Sequence, residues 1–388
     1  MLDRAIVDQG YNTLRGLWDK TKEKNGTDSL PDVTYGFWHA GNTLDTFMDY
    51  LGRARPAGYS KTAADLADQG VEIFKQVTGV DPTQYSLDQP PPTVAWWDDY
   101  GWWGIAFLKV HLLNPAPRYL HAAQVCWSFM TKGGRTYPVT DPGEKGGTWN
   151  HDPRSGGVQN VITNALFLHL SAQLYNRAPE EPFLVGAKAQ YEWFAYQLGH
   201  GASYTVSVGP PAWLIHQLPL KTGMGLWTGE QGVLLGGLAS LRESVLGSDP
   251  ALAKHLRGMC EAIVWGVSLS DQMTWPAKWS PATRVLHEAQ PQASAYDSWR
   301  YDLNGSVGKG VLMRYLAAYL GKGDWFRELL DGNAAAVART LQKDGYFAVS
   351  WVEDPKETMN DDSCPNLGHL TQQCSGQDAM NASLLPPA

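Results

Sequence analysis

The octapeptide Gly232-Val-Leu-Leu-Gly-Gly-Leu-Ala239 is apolar or small at every position, so a helix built on it offers no face to water. Gly104-Ile-Ala-Phe-Leu108 has the same character. Lys61-Thr-Ala-Ala-Asp-Leu-Ala-Asp-Gln-Gly-Val-Glu-Ile-Phe-Lys75 differs, with charge along one side and apolar residues along the other, as in a half-solvated helix. Periodicity places helices near 2–22, 37–52, 61–78, 98–113, 117–131, 159–175, 184–198, 227–246, 251–268, 306–320, 324–341 and 370–385, with little convincing strand. Odd-numbered segments are half-polar and even-numbered ones apolar nearly all round. Six helical hairpins with every second helix buried predict an all-α fold, an (α/α)6 barrel, as one domain over residues 1–388.

Loop lengths support that arrangement. Connections from an even helix to the next odd one are roughly 3 to 8 residues, whereas four later odd-to-even connections run roughly 27 to 37, well above the ordinary range. Antiparallel hairpins put those long loops at one end, where the inner helices begin. A cleft built from long loops and helix N-termini is predicted there.

Trp96-Trp97-Asp98-Asp99-Tyr100-Gly101-Trp102-Trp103 falls at that end. A carboxylate resists desolvation unless paired or hydrogen-bonded, so two acids among four tryptophans imply a shaped polar site. Cleavage of a glycosidic bond needs one carboxyl to protonate the leaving oxygen and another to attack or steady the sugar carbon, and aromatic faces hold sugar rings. The helix N-terminus favours ionisation of one carboxyl, and the like charge next door raises the other, although the titration belongs to the pair. An N-cap followed by a first-turn acid is the competing structural reading.

Other polar motifs open the remaining even helices: Trp38-His39-Ala-Gly-Asn42, Gly156-Gly-Val-Gln-Asn160-Val-Ile-Thr163-Asn164, Thr228-Gly-Glu230-Gln231-Gly232 and Lys309-Gly310. Trp38, Asn42, Trp96, Trp97, Tyr100, Trp149, Asn164, Glu230, Gln231 and Lys309 are therefore candidate substrate-binding residues. Each has a structural alternative: Thr228-x-x-Gln231 is a capping-box pattern, Asn42 and Asn164 satisfy backbone groups in many folds, and Lys309 suits a solvated surface. The connection 269–305 carries Trp275, Trp279, Tyr296, Trp299 and Tyr301, and its tryptophans are expected to wall the subsites.

Composition agrees. The chain has 388 residues with 17 Trp and 17 Tyr, an aromatic excess suited to a large uncharged ligand. Net charge is −8 and there is no Lys/Arg-rich run, which argues against nucleic acid or an anionic membrane as partner. No apolar run reaches membrane-span length, and residues 1–20 lack the apolar core of a signal peptide. A secreted or periplasmic protein whose leader has been removed is favoured over a cytoplasmic one, and a monomer is expected. Cys126 and Cys260 lie in helical patterns as buried free thiols. Cys364 and Cys374 bracket a polar stretch and would suit a disulfide in an exported protein. Asn25, Asn304 and Asn381 match the short glycosylation acceptor pattern.

The blocks around Asp98-Asp99, Gly156 to Asn164, Gly229-Glu-Gln231-Gly-Val-Leu-Leu-Gly-Gly-Leu and Lys309-Gly310-Val-Leu-Met-Arg314-Tyr-Leu occur in the order, and over most of the chain, in which they resemble glycoside hydrolase family 76. That family comprises endo-α-1,6-mannanases and fungal cell-wall relatives. The resemblance implies an (α/α)6 barrel, a retaining mechanism, α-1,6-mannan as substrate, Asp98 as nucleophile and Asp99 as general acid/base. Three departures stand out: Val158-Gln-Asn160-Val-Ile-Thr163-Asn164 lacks a lysine that typical members carry before the asparagine, Glu230 stands where a neutral residue is expected, and 269–305 is long. A different α-glycan, or transglycosylation, is the alternative within the fold.

Other classes fit less well. Isoprenoid synthases pair Asp-Asp with a further acid on one helix face for metal binding, and here Trp102 and Trp103 hold those positions. An epimerase on this barrel would use histidine, with His39 and His151 as candidates. A non-catalytic glycan-binding protein would keep the aromatics without needing both acids. No metal cluster, phosphate-cradling glycine loop or Ser-His-Asp pattern rises above background, so no cofactor is expected.

Overall fold

The computed structural model describes residues 3–24, 33–92, 96–135, 146–201, 203–205, 211–217, 225–277, 279–288, 307–320, 326–348, 350–352 and 366–384. Among these, twelve α-helices follow one another: α1 (Arg4–Lys24), α2 (Val33–Ala54), α3 (Tyr59–Thr78), α4 (Trp97–Leu113), α5 (Pro117–Gly134), α6 (Val161–Arg177), α7 (Glu181–Gly199), α8 (Thr228–Val245), α9 (Pro250–Leu269), α10 (Gly308–Leu320), α11 (Arg327–Arg339) and α12 (Asn366–Ala382). Every segment expected from periodicity finds its helix, with ends displaced by no more than four residues.

The even helices close an inner ring. Each of α2, α4, α6, α8 and α10 packs on the next, and α12 returns to α2, while the odd helices lie outside against their neighbours. Two successive inner helices are separated by an outer helix running the other way, so all six inner helices point in one direction. The result is an (α/α)6 barrel. Burial follows the patterning: α8 is enclosed continuously from Thr228 to Leu238, whereas α3 buries one stripe, including Leu66, Ala67, Phe74 and Ile73.

Small residues set the spacing of the ring. A Cβ added at Gly232 would lie 2.7 Å from the Cα of Leu312 on α10, and one at Gly310 would lie 2.5 Å from the Cα of Ser375 on α12. Three helices therefore meet almost backbone to backbone. Inside the ring, the buried Arg314 guanidinium pairs with Asp45 and Asp378, each at 2.6 Å. Lys109 pairs with Asp45 and with Asp49 at 2.8 Å, so one ion cluster joins α2, α4, α10 and α12.

Two small antiparallel hairpins depart from the all-helical expectation. β1 (Ser203–Thr205) pairs with β2 (Trp213–Ile215), and β3 (Thr274–Ala277) pairs with β4 (Ser280–Leu286). Both sit in long odd-to-even connections. They are fixed by tertiary bonds rather than by strand patterning: the Gln231 amide donates to Ile215 O and accepts from Ile215 N, and Asn333 Oδ1 accepts from Leu286 N. Cys126 and Cys260 are buried and in no disulfide. Cys374 is also a free, buried thiol, with its sulfur 2.8 Å from the Thr46 hydroxyl; Cys364 lies outside the described residues. Asn381 is buried and donates to Thr46 O at 3.0 Å, which removes it as a glycosylation acceptor in the folded chain. Asn25 and Asn304 lie outside the described residues. No described helix is long and apolar enough to cross a membrane.

Candidate active site

The site is assembled where the inner helices start. Trp96 caps α4 from an extended backbone without a side-chain bond, so neither aspartate is the cap, and Asp98 and Asp99 occupy the first turn. Trp97 N donates to Asn150 O at 2.8 Å, tying this turn to the loop that precedes α6. One oxygen of Asp98, Oδ1, is buried without a hydrogen-bond partner. Burial pushes the Asp98 carboxyl up to about 7, against the opposing effect of the backbone N–H groups of Asp98 and Asp99. Asp99 is 7% exposed and is pushed well above the usual carboxylate range, by burial and then by the charge of Asp98. Near neutral pH the pair holds a proton, and its preferred seat is Asp99. One carboxylate and one carboxylic acid side by side are the components of proton transfer and nucleophilic attack at one carbon.

Positions four apart share a helix face. Trp102 accordingly lies along the α4 face of Asp98, and its ring stacks with that of the half-buried Trp38 of α2, centroids 5.4 Å apart. Trp96 is 52% exposed beside His151, at 5.5 Å between rings. The His39 ring lies 3.9 Å from Trp38 on α2. Trp97 and Tyr100 point elsewhere. Trp97 packs over Gly133 of α5, while Tyr100 is fully buried between Phe37, Phe74 and Phe129 with its hydroxyl donating to Pro92 O at 3.2 Å. Tyr100, read from the sequence as a substrate contact, therefore occupies a core position: its place three residues into the turn faces the outer helices.

The amides divide in the same way. Asn164 Oδ1 accepts from Thr148 N and Gln190, and its nitrogen donates to Thr148 O and Asn160 O, so it is saturated by protein partners. Gln231 is held on both ends by Ile215 and makes no capping box; Trp227 is the cap of α8. Asn42 keeps Oδ1 unpartnered while its nitrogen donates to the Cys374 sulfur at 3.3 Å. Trp149 is half-buried with Nε1 unpartnered. Lys309 is buried rather than solvated, its ammonium 5.3 Å from the centre of the Trp351 ring. The β3–β4 hairpin carries Trp275, stacked on His287 at 4.0 Å, and Trp279, 37% exposed under the Arg339 guanidinium at 5.2 Å. Those contacts join the hairpin to itself and to α11. Trp299 lies outside the described residues.

Buried polar atoms without protein partners gather at this end. Trp97 Nε1, Asp98 Oδ1, Thr163 Oγ1, Trp227 Nε1 and both oxygens of Glu230 come from the starts of α4, α6 and α8 or the residue just before, Trp149 Nε1 comes from the connection that precedes α6, and Asn42 Oδ1 comes from the middle of α2. Leaving such groups unmatched is costly, which makes these positions candidates for contact with a polar ligand. Sequence reasoning did not single out Trp227, Trp351 or Glu288, and named Trp102 only as one of the four tryptophans beside the acids. Trp227 and Trp351 carried no motif, and Glu288 sits in the connection read only for its aromatics. Glu288 is buried and accepts from Thr228 Oγ1 at 2.6 Å and Thr228 N at 3.2 Å. Among the described residues no group of three His, Cys, Asp or Glu is arranged to hold a metal ion.

A family model described as glycosyl hydrolase family 76 matches residues 5–388. Among solved structures, an inactive variant of the α-1,6-mannanase GH76A of Salegentibacter sp. HEL1_6, two consecutive aspartates replaced by asparagine, in complex with α-1,6-mannotriose, is 15% identical. That match covers 98% of this chain and 99% of that one, with a TM-score of 0.62. The Lin0763 protein of Listeria innocua is 15% identical over 98% of each chain, with a TM-score of 0.65. Dfg5 from Chaetomium thermophilum, in complex with glucosamine, is 14% identical over 100% of this chain and 92% of that one, with a TM-score of 0.65. No curated protein sequence matches.

Proposed function

Because the chain belongs to glycosyl hydrolase family 76, we propose that it is a retaining glycoside hydrolase acting on an α-linked glycan of the α-1,6-mannan type. The observation that carries the reading is the Asp98–Asp99 pair, two carboxyls on one helical turn whose surroundings favour the proton on the second. Neighbouring aspartates suit the separation of about 5–5.5 Å that a double displacement uses better than the 6.5–9.5 Å that admits a water for inversion. The Salegentibacter mannanase variant lacking two consecutive aspartates is inactive, which supports a catalytic pair of this kind.

In the first step Asp98 attacks the anomeric carbon as the bond to the leaving oxygen breaks, and Asp99 gives that oxygen its proton. A glycosyl ester on Asp98 results. In the second, Asp99 takes a proton from water, the water oxygen attacks the same carbon from the other face, and Asp98 departs as carboxylate. Trp38, Trp96 and Trp149 supply ring faces to the sugars, and Asn42, Glu230 and Lys309 supply polar contacts. Trp275 and Trp279 wall further subsites, the role that the sequence reading also gives to Trp299.

The test is incubation of the pure protein with α-mannans, α-glucans and arabinans, with proton NMR of the first product formed. Release of α-configured reducing ends from α-1,6-mannan is expected. First appearance of the β-anomer would overturn retention, and binding without any cleavage would make the protein a glycan-binding module.

A further inference from the structure

The ring of inner helices has a second mouth. A cavity of about 210 Å3 lies between α2, α4, α6, α8 and α10, lined from the middle of these helices to their C-terminal ends. That is the end of the barrel opposite Asp98 and Asp99: at 1.5 Å of rise per residue, Leu108 in its wall sits about 15 Å along α4 from the pair. The exposed Leu112, Arg177 and Glu243 stand at its rim, and the buried His169, Ser240 and Tyr315 lie deeper. At about 30 Å3 per water the space holds about seven waters. Pockets for drug-sized ligands run to about 300–1,000 Å3, so this one suits a single small molecule and not a chain.

One wall is apolar, formed by Ile105, Leu108 and Leu112 at helical spacing on α4. The polar groups facing it are mostly matched within the protein. Ser240 Oγ accepts from Gln173 at 2.7 Å and lies 3.0 Å from His169 Nδ1, and the Arg314 guanidinium is engaged by Asp45, Asp378 and Thr46. Two atoms are left over. Tyr315 Oη is buried without a hydrogen-bond partner, and so is Asp49 Oδ2. The Lys109 ammonium, bonded to Asp45 and to Asp49, has a third N–H to offer beside them.

These groups select the chemistry of an occupant. Against the effect of burial, Lys109, Arg53 and Arg314 hold the Asp49 carboxyl below its ordinary value, so it stays an ionised acceptor; burial keeps the Tyr315 hydroxyl protonated, a donor. A ligand cation would meet Lys109, Arg53 and Arg314. A ligand anion would meet Asp49 and the negative ends of the converging helices. Hydroxyl groups satisfy both sides at once, accepting from Tyr315 or Lys109 and donating to Asp49.

We propose that this cavity is a second ligand site, separate from the aspartate end, for one small neutral polyol of hexose size. Its hydroxyls bridge Tyr315, Lys109 and Asp49, and its C–H face lies on the Ile105–Leu108–Leu112 stripe. The site stands whether or not Asp98 and Asp99 cleave a glycan.

Calorimetric titration of the whole protein with mannose, glucose, mannitol and myo-inositol tests this, with gluconate and mannosamine as the charged counterparts; the four neutral probes distinguish ring from open chain. At least one neutral polyol should bind, and more tightly than either charged compound. Tyr315→Phe, which removes the hydroxyl and keeps the ring, should weaken that binding roughly threefold to tenfold, the size of one hydrogen bond. Asp98→Asn should leave it unchanged. Where Tyr315→Phe fails to fold, Leu112→Trp decides the matter, because that position is exposed at the rim and a larger side chain there obstructs entry without disturbing the core. Absence of binding by all four neutral probes would overturn the proposal, as would tighter binding of gluconate or mannosamine. Binding that a folded Tyr315→Phe protein retains in full, or that Asp98→Asn abolishes, would place the ligand elsewhere and overturn it too.

Discussion

Asp98 and Asp99 are held where water would be their better solvent, and that tension can be measured. For Asp98 the folded carboxyl titrates near 7 against 3.8 in an unpaired chain, so between those values the folded state binds more protons than the unfolded one. Stability attributable to this group is greatest below pH 3.8 and falls as pH rises toward 7, by about 4 kcal/mol in all. Asp98→Asn should therefore stabilise the protein more at pH 8 than at pH 4, raising Tm by a few degrees at the higher pH in calorimetry. A variant equally stable relative to wild type at both pH values would show that Asp98 is not desolvated. Activity runs the other way. The rising limb of kcat/KM should fall near pH 7, where Asp98 becomes an available nucleophile, and the descending limb should lie above it, where Asp99 gives up its proton. Asp98→Asn and Asp99→Asn should each lower kcat by several orders of magnitude. A substrate with a good leaving group should restore the first step in the Asp99 variant alone. An active Asp98→Asn enzyme would remove the nucleophile assignment. The aspartate pair is legible in the sequence because adjacent acids between tryptophans have few other uses. Glu288 is not, since only the fold brings it to Thr228 across sixty residues.

Helices carry the second level of information, and here periodicity gives nearly everything: even β-free α8 is recognisable from one apolar octapeptide. Its glycines are structural. Gly232→Ala would force a methyl to within 2.7 Å of the Leu312 backbone, so α8 and α10 must separate. Overpacking of this kind costs about 1–3 kcal/mol, and a lower urea midpoint at unchanged m-value is the expected outcome. The ion cluster makes a stronger claim. Arg314→Met would leave Asp45 and Asp378 facing each other inside the ring without their shared cation, a loss of about 3–5 kcal/mol. Adding Asp378→Asn should recover part of it, and an additive double variant would show that the pair does not couple. What periodicity cannot show is β1–β4. Runs of three to seven residues carry too little pattern, and their pairing is imposed by Gln231 and Asn333 from neighbouring helices.

At the scale of the molecule, six inner helices start at one end, and the long odd-to-even connections lie there too. The parallel helix N-termini favour what negative charge is carried among Asp98, Asp99, Glu230 and Glu288, the acids gathered where substrate is read to bind. If Trp275, Trp279 and Trp299 extend that binding surface, replacing all three by alanine should weaken long oligosaccharides while sparing short ones. Equal losses for both lengths, measured by calorimetry, would return these residues to loop packing. The end at which the long connections gather is legible from loop lengths alone, because hairpin topology leaves them only one end to occupy. Which residues meet in it is not, since that depends on how α4, α8 and α10 are rotated about their own axes.

The ring closes through α12, which packs on α1 and α2, and Gln377 donates to Val7 O while Asn381 donates to Thr46 O. The packing of each earlier inner helix on the next joins elements one hairpin apart in the chain, but this seam joins residues more than 300 positions apart. Closing so long a loop is entropically slow, so assembly should begin among the middle hairpins and zip the seam last. During that interval α1 and α2 carry bare apolar faces, the species on which aggregation or chaperone capture would act. Pulsed hydrogen exchange during refolding should show α6 and α8 protected first and α1, α2 and α12 last. Simultaneous protection of all twelve helices would mean that the barrel forms in a single concerted event.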